Sequence, residues 1–267
     1  MGLVNWSKTI CIVKPSATPN RTVPPKDLVQ LGNVKYPPYH TWYYEEISTE
    51  NNLSWYAALR MMYHVTGEPK YAKAMGRIED FLKSMWDPTK NIFYQGAHFN
   101  NGAWIPHTNL FAVDVQNWSI VVLGPQKIDQ WFGEGTAFKI WRSTKIFSGV
   151  YTKNELKGIG FTKEKDRISI EWTAGAILAL RKLADYYALS HPDWSIEAKD
   201  DAISMRTGVD DYYFYVREEE AAYSYSSVRR WIPFGWFSHK IPILSLASTA
   251  WIYLIDKGIN PFELDQI

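Results

Sequence analysis

The chain carries a single cysteine, Cys11, so no intrachain disulfide can form, and the lone thiol does not reveal a compartment. It has no apolar run of the roughly 18 residues that a membrane-crossing helix needs, so no membrane span is expected. It has almost no net charge: 29 basic against 28 acidic residues leave +1, and no basic block stands out. A nucleic-acid partner is therefore not expected. The histidines His40, His64, His98, His107, His191 and His239 are scattered, with no pair at the i, i+4 spacing of a helical metal site. No metal is predicted. A phosphate loop of the G-x-x-x-x-G-K type is absent, and Lys157-Gly158-Ile159-Gly160 is too little to cradle a nucleotide, so no cofactor is expected. The G-x-S-x-G turn of serine hydrolases is absent. So are the Asp-rich and D-x-D-D runs that a terpene-type cyclase would need. The opening MGLVNWSKTICIVKPSATP is too weakly apolar for a secretory signal. That reads as a cytoplasmic protein, or a periplasmic or extracellular one whose leader has been removed.

Aromatic side chains are abundant: 13 Trp, 17 Tyr and 12 Phe make up 16% of the chain. Such rings fill cores, and they also form flat platforms with a polar edge that stack on sugar rings. Residues 1–45 hold Pro15, Pro19, Pro24, Pro25, Pro37 and Pro38, which no long helix tolerates, so this stretch reads as an extended N-terminal segment. Over 46–267 the pattern is helical, and the fold class is all-α. Leu53, Tyr56, Ala57 and Leu59 open a helix that ends near Gly67. Tyr71, Met75, Ile78, Phe81, Leu82 and Met85 recur at helical spacing up to Pro88. A second hairpin opens at Asp114 and runs into Gly124-Pro125. Its return helix lies between Lys127 and Phe147 and is interrupted by Gly133 and Gly135. A third opens at Glu171, stops around His191-Pro192 and returns from about Ser195 to Thr207. A last helix runs from Pro242 to Gly258. The connecting spans 87–112, 149–169 and 208–241 read as long loops on one face, which in compact domains are usually functional.

The first helices of these hairpins share a register. Glu50 precedes Leu59 by nine residues in ENNLSWYAAL, as Asp114 precedes Leu123 in DVQNWSIVVL and Glu171 precedes Leu180 in EWTAGAILAL. The last helix fits as SLASTAWIYL, with Ser245 in place of the acid. If alternate helices of a closed ring run the same way, the three acids meet at the mouth of a cavity. Paired carboxylates are what glycosidic cleavage needs. Acids are also favoured in any first turn, where they cap free N–H groups and complement the dipole.

The segments TENNLSWYAALRMMYHVTGEPKY, DVQNWSIVVLG, IEWTAGAILALRKL and STAWIYLIDKGINPF resemble the six-hairpin glycosidase-like superfamily over roughly residues 50–265. The resemblance implies an (α/α) toroid with a cleft at the inner-helix N-termini. It also implies glycoside hydrolysis or polysaccharide lysis by acidic residues, with Glu50, Asp114 and Glu171 where such acids sit. About three and a half hairpins can be counted, which leaves room for an additional domain or an oligomer partner.

On this reading the partner is an oligo- or polysaccharide and the protein a glycoside hydrolase. Glu171, flanked by Ile170 and Trp172, is the candidate general acid, because an apolar setting disfavours the charged carboxylate. Asp114, followed by Gln116 and Asn117, is the candidate base. Glu50 is an alternative base or a ligand for sugar hydroxyls. The candidate substrate-binding residues are Trp55, Trp118 and Trp172 in the first turns, Tyr43 ahead of the first helix, Gln116, and Arg229, Trp236 and His239 in the late loop. Two alternatives stay open. One is a polysaccharide lyase using Tyr223, Arg229 and His239. The other is a catalytically inactive sugar-binding or scaffold toroid, for which Ser245 speaks. An open helical-repeat interaction module with its aromatics buried is a further class.

Overall fold

The computed structural model describes residues 46–264 other than 102 and 219. The extended segment expected over 1–45, Tyr43 included, lies outside the described residues. Eight helices occur among the described residues. In chain order they are α1 (Thr49–Thr66), α2 (Pro69–Ser84), α3 (Val113–Leu123), α4 (Pro125–Phe132), α5 (Thr136–Ser148), α6 (Ile170–Tyr187), α7 (Pro192–Asp210) and α8 (Leu246–Asp256). The described residues fall into two compact units, residues 46–85 with 94–109, and residues 86–93 with 110–264.

In the first unit, Ser48 starts α1 by accepting the Asn51 N–H at 3.1 Å, and the expected stop near Gly67 is Gly67 itself, in the left-handed conformation. Pro69 then opens α2 at a position whose N–H would be unbonded anyway. The two helices pack as a hairpin through Leu53, Tyr56 and Ala57 against Ile78, Phe81 and Leu82. Each of the larger side chains contributes about 1.5–3 kcal/mol by burial. Tyr56 stays satisfied by donating to Glu79 at 2.7 Å. Beside them Gly96–Asn100 is the central strand of a small antiparallel sheet, with Glu46–Ser48 on one side and Ala103–Pro106 on the other.

The second unit is built on α3 and α6. Ten of the eleven residues of α3 are buried, which is the mark of a helix enclosed on all sides. Helix α6 packs against α3, α7 and α8. The interruption expected at Gly133 and Gly135 is real: both take positive φ, 100° and 78°, and split the return segment into α4 and α5. Helix α7 begins at Pro192 rather than near Ser195, because proline is well suited to the first helical position.

The all-α expectation is loose. The spans read as long loops carry antiparallel hairpins: Trp86–Asp87 with Ile92–Phe93, Gly149–Thr152 with Glu155–Ile159, Tyr213–Arg217 with Glu220–Tyr223, and Arg230–Ile232 with Trp236–Ser238. Two turn signals explain the tightest of these: Lys153 and Asn154 supply the positive φ values of a two-residue hairpin turn. Helix α8 is also shorter than the expected Pro242–Gly258, because Ser245 caps it by accepting the Ser248 N–H at 3.1 Å.

Candidate active site

Within α3 the only residue that is not buried is Asp114. In the first eleven residues of α6 the only one is Glu171. Each acid stands two residues beyond its N-cap, Ala112 and Ser169. Glu50 holds the same place beyond Ser48 in the first unit. Ser245 does not take the place of an acid in this series: it is itself the cap, and Ala247 occupies the corresponding position.

The two acid-bearing turns of the second unit meet at Phe161. Its carbonyl accepts the N–H of Val113, the first residue of α3, at 3.2 Å. Its ring meets Trp172, in the first turn of α6, edge to face at 4.9 Å. One turn further along, Gly175 lies against Trp118. A β-carbon there would come within 3.3 Å of the indole nitrogen, so glycine is what lets the helices approach. Contacts at Trp172 precede those at Gly175 as Val113 precedes Trp118. The two helices therefore run the same way, and Asp114 and Glu171 emerge at the same end.

Tyr225 stands over that end. Its carbonyl accepts the N–H of Ile170 at 3.4 Å, and its ring lies 5.5 Å from that of Phe161. Its hydroxyl accepts the indole N–H of Trp236 at 3.0 Å. Burial pushes the phenol up to about 12. The bond from Trp236 works in the opposite direction, and the negative charges of Glu171 and Asp114 add to the rise. Both carboxylates thus act electrically on one neutral phenol. Aromatic rings continue the wall: Trp172 to Phe234 at 6.2 Å and Phe234 to Trp236 at 5.7 Å. Three fully or nearly fully buried polar side chains flank these residues without a protein partner, Asn117 one turn after Asp114, Thr162 beside Phe161 and Ser226 beside Tyr225. Such groups are ordinarily matched by water or by ligand oxygens.

The other expected site residues divide. Trp236 is 37% exposed and Arg229 is exposed, its guanidinium 4.8 Å from the Phe237 ring centre. His239 is half-buried and accepts the Ser226 N–H through its carbonyl. Arg230 instead pairs with Asp166 at 3.4 Å. Gln116 is fully buried. Its amide oxygen accepts the Phe93 N–H at 2.8 Å, and its nitrogen donates to the carbonyls of Phe93 and Ala112. It clamps α3 to the preceding strand, and its polar atoms are turned to backbone rather than to a ligand. Trp118 is packed in the core against Trp251 at 5.9 Å and Phe262 at 5.0 Å, so its ring is no open platform. Tyr223 donates to Asp210 at 3.2 Å and belongs to an ion network with Arg206, not to the acid pair. Trp55 is 37% exposed on α1 of the first unit, with Glu50. That unit also joins His107 to Glu46 at 2.7 Å and sets His98 5.2 Å from His107, ring to ring. Tyr225 and Phe161 carry no signal of their own in the sequence, and Phe234 lies only in a span that reads as a loop on the proposed cleft face. For Tyr225 and Phe234 the available signal is a dense aromatic run around residues 223–237, and for Phe161 there is none.

No protein-family profile and no curated protein matches this sequence. Solved structures do. The unsaturated glucuronyl hydrolase of Bacillus sp. GL1, described as responsible for glycosaminoglycan degradation, superposes with a TM-score of 0.58 at 16% identity over 84% of this chain. The likeness is one of fold, to (α/α)-toroid enzymes. An α-1,6-mannanase from a Salegentibacter species matches with a TM-score of 0.51 at 12% identity over 80% of the chain. A sugar epimerase from a ruminal bacterium matches with a TM-score of 0.50 at 12% identity, also over 80%. The chain spans only 62%, 60% and 54% of the length of these three. What these neighbours share with the chain is the helical-hairpin architecture.

Proposed function

We propose that this chain is a carbohydrate-active protein that hydrolyses glycosidic bonds with Asp114 and Glu171 as its carboxylate pair. The observation that carries the reading is the burial pattern. Helix α3 and the first eleven residues of α6 are enclosed, and each leaves only an acid short of full burial at their common end, under a wall of aromatic rings. Glycosidic cleavage needs one carboxyl group to protonate the departing oxygen and a second to activate water or attack the anomeric carbon. Glu171, beside the Trp172–Phe161–Phe234 rings, is assigned as the acid, since an apolar wall favours the protonated form. Asp114, at a helix N-terminus whose own Val115 N–H it accepts at 2.8 Å, is assigned as the base. Trp236 supplies stacking surface, whereas Trp172 is buried like Trp118 and backs the wall rather than facing a ligand; Arg229 and His239 sit on the same late segment as Trp236 for hydroxyl or carboxylate contacts. Glu50 and Trp55 are proposed as saccharide contacts of the first unit. The carbohydrate chemistry of the fold neighbours agrees with this reading.

The test is reducing-end release from a panel of neutral and acidic polysaccharides. Wild type is expected to release sugar, and Glu171→Gln and Asp114→Asn each to lose at least about a hundredfold in kcat/KM. Unchanged release in either variant would remove that residue from the mechanism. No release by wild type, with saccharide binding still visible in tryptophan fluorescence, would make the protein a binder rather than a hydrolase.

A further inference from the structure

The β-hairpin of Arg230–Ile232 and Trp236–Ser238 has two faces, and Trp236 lies on only one of them. Resting on the carbohydrate reading above, we infer that the other face is a second saccharide site, one that takes acidic sugars. Trp231 stacks on the sugar ring and Arg229 receives its carboxylate or sulfate. Opposite residues of an antiparallel pair share a face, and neighbours along a strand alternate. Ile232 stands opposite Trp236, and Arg230 opposite Ser238. Ile232 and Ser238 are fully buried, and Trp236 donates to the Tyr225 hydroxyl. Trp231 and Phe237 stand opposite each other on the other face, 52% and 44% exposed, with their rings 5.0 Å apart edge to face. Arg229, two residues before Trp231, lays its guanidinium 4.8 Å from the Phe237 ring centre. That guanidinium and the Trp231 indole N–H have no hydrogen-bond or ion-pair partner among the described residues. A guanidinium seated on a ring is already oriented, so little freedom is lost when it grips a planar anion at two points. The hairpin is held as well: buried Arg167 donates to the Trp231 carbonyl at 2.8 Å, and Arg230 pairs with Asp166. Charge selects the ligand. Residues 221–255 contain no Asp or Glu, but contain Arg229, Arg230 and Lys240. The acid recorded against the hairpin, Asp166, is engaged by Arg167 and Arg230. A neutral sugar would leave Arg229 unmatched, whereas a uronate or a sugar sulfate matches it. A second copy of this face would set cation against cation.

Hydroxyl-radical footprinting of the full chain carrying Glu171→Gln, read by mass spectrometry, localises the contact without turnover. The probes are an oligogalacturonate, a sulfated galactan oligomer and a neutral malto-oligosaccharide of the same length. Oxidation of Trp231 and Phe237 is expected to fall at least about threefold at saturation with an acidic oligomer, and to stay level with the neutral one. Whichever acidic probe protects at the lower concentration tells carboxylate from sulfate. Titration calorimetry then gives the affinity for that probe. Trp231→Ala and Arg229→Gln, both changes at exposed side chains, are each expected to weaken it by about tenfold. Added salt should weaken binding to the parent chain far more than to Arg229→Gln, which has lost the charge. Trp231 oxidised equally with and without every probe would overturn the inference. So would equal protection by the neutral oligomer, or affinities within about twofold of the parent in both variants. Protection without any sugar, with elution at twice the monomer mass, would make this face a contact between copies and overturn it too. If wild type releases no sugar from any polysaccharide, it is the hydrolase reading that fails. Protection of Trp231 needs no turnover and decides by itself whether this face binds acidic saccharide.

Discussion

Replacing Asp129 by alanine is expected to cost the protein about 4 kcal/mol of stability. Asp129 lies in α4 and is 9% exposed. Helix α5 has no side-chain cap of its own, since its N-cap is Gly135. Asp129 supplies one from the preceding helix: it accepts the N–H of Gly135 at 2.9 Å, the N–H of Ala137 at 2.9 Å and the hydroxyl of Tyr187 at 2.6 Å. Alanine strands three donors, each at about 1–3 kcal/mol, and partial relaxation and water entry bring the sum down to about 4. Asparagine keeps the shape but offers one acceptor where two oxygens served three donors, and is expected to cost about 2–3 kcal/mol. Tyr187→Phe removes one donor only, at about 1 kcal/mol. Burial, and then the bond to Asp129, hold the Tyr187 phenol well above the usual tyrosine range. Its contribution is therefore full below the ordinary tyrosine value and is lost as pH rises through the folded one. Urea unfolding is the assay, with the slope checked for constancy. At about 3 kcal/mol/M the alanine variant's midpoint falls by about 1.3 M. A loss under about 1 kcal/mol would refute the reasoning, because it would mean that water replaces Asp129 freely at this helix start.

Two glycines on helices should respond in opposite senses to alanine. At Gly208 in α7 a β-carbon would stand 2.2 Å from the Lys157 carbonyl oxygen, so backbone overlap outweighs the gain of about 1 kcal/mol in helix propensity and a net loss of about 1–2 kcal/mol is expected. At Gly76 in α2 nothing lies within 4 Å, and the same change is expected to stabilise by about 0.5–1 kcal/mol; thermal unfolding of both variants checks the pair. Lys145 meets Glu197 and Asp201 at 2.7 Å each, and Arg142 meets Glu197 at 2.7 Å, joining α5 to α7. Burial opposes the charge on Glu197, but the bonds from Arg142 and Lys145 win and lower its pKa. Burial likewise opposes the charge on Lys145, but the bonds to Asp201 and Glu197 win and raise its pKa. The Glu197 contribution is present above the ordinary glutamate value and is lost as pH falls through the depressed one. The Lys145 contribution is present below the ordinary lysine value and is lost as pH rises through the raised one. The Tm difference between wild type and Lys145→Met should therefore be greatest between those limits and shrink on both sides.

Much of the helical frame was legible in the sequence, because the signals that set it are local. Gly67 as a stop, Gly133 and Gly135 as a break, and the apolar runs after Glu50, Asp114 and Glu171 mark where helices start and end whatever surrounds them. The shared register of those acids follows from the same local rule. Beyond such signals the sequence is ambiguous. Gln116 and Trp118 read as site residues, since a first-turn amide or indole looks the same whether it faces a cleft or a core. Only the neighbours Phe93, Ala112, Trp251 and Phe262 put them inside. Ser245 matched the acid frame by count, yet a hydroxyl at a helix start is chosen as a cap, and the bond to Ser248 made it one. Tyr225 lies more than fifty residues from Glu171 and more than a hundred from Asp114, with no periodic relation to either. The sequence by itself determined which segments are helices and that acids open them. Tertiary structure decided which acids share an end and which aromatic stands over them, because those contacts depend on how distant segments pack, and no spacing along the chain encodes that.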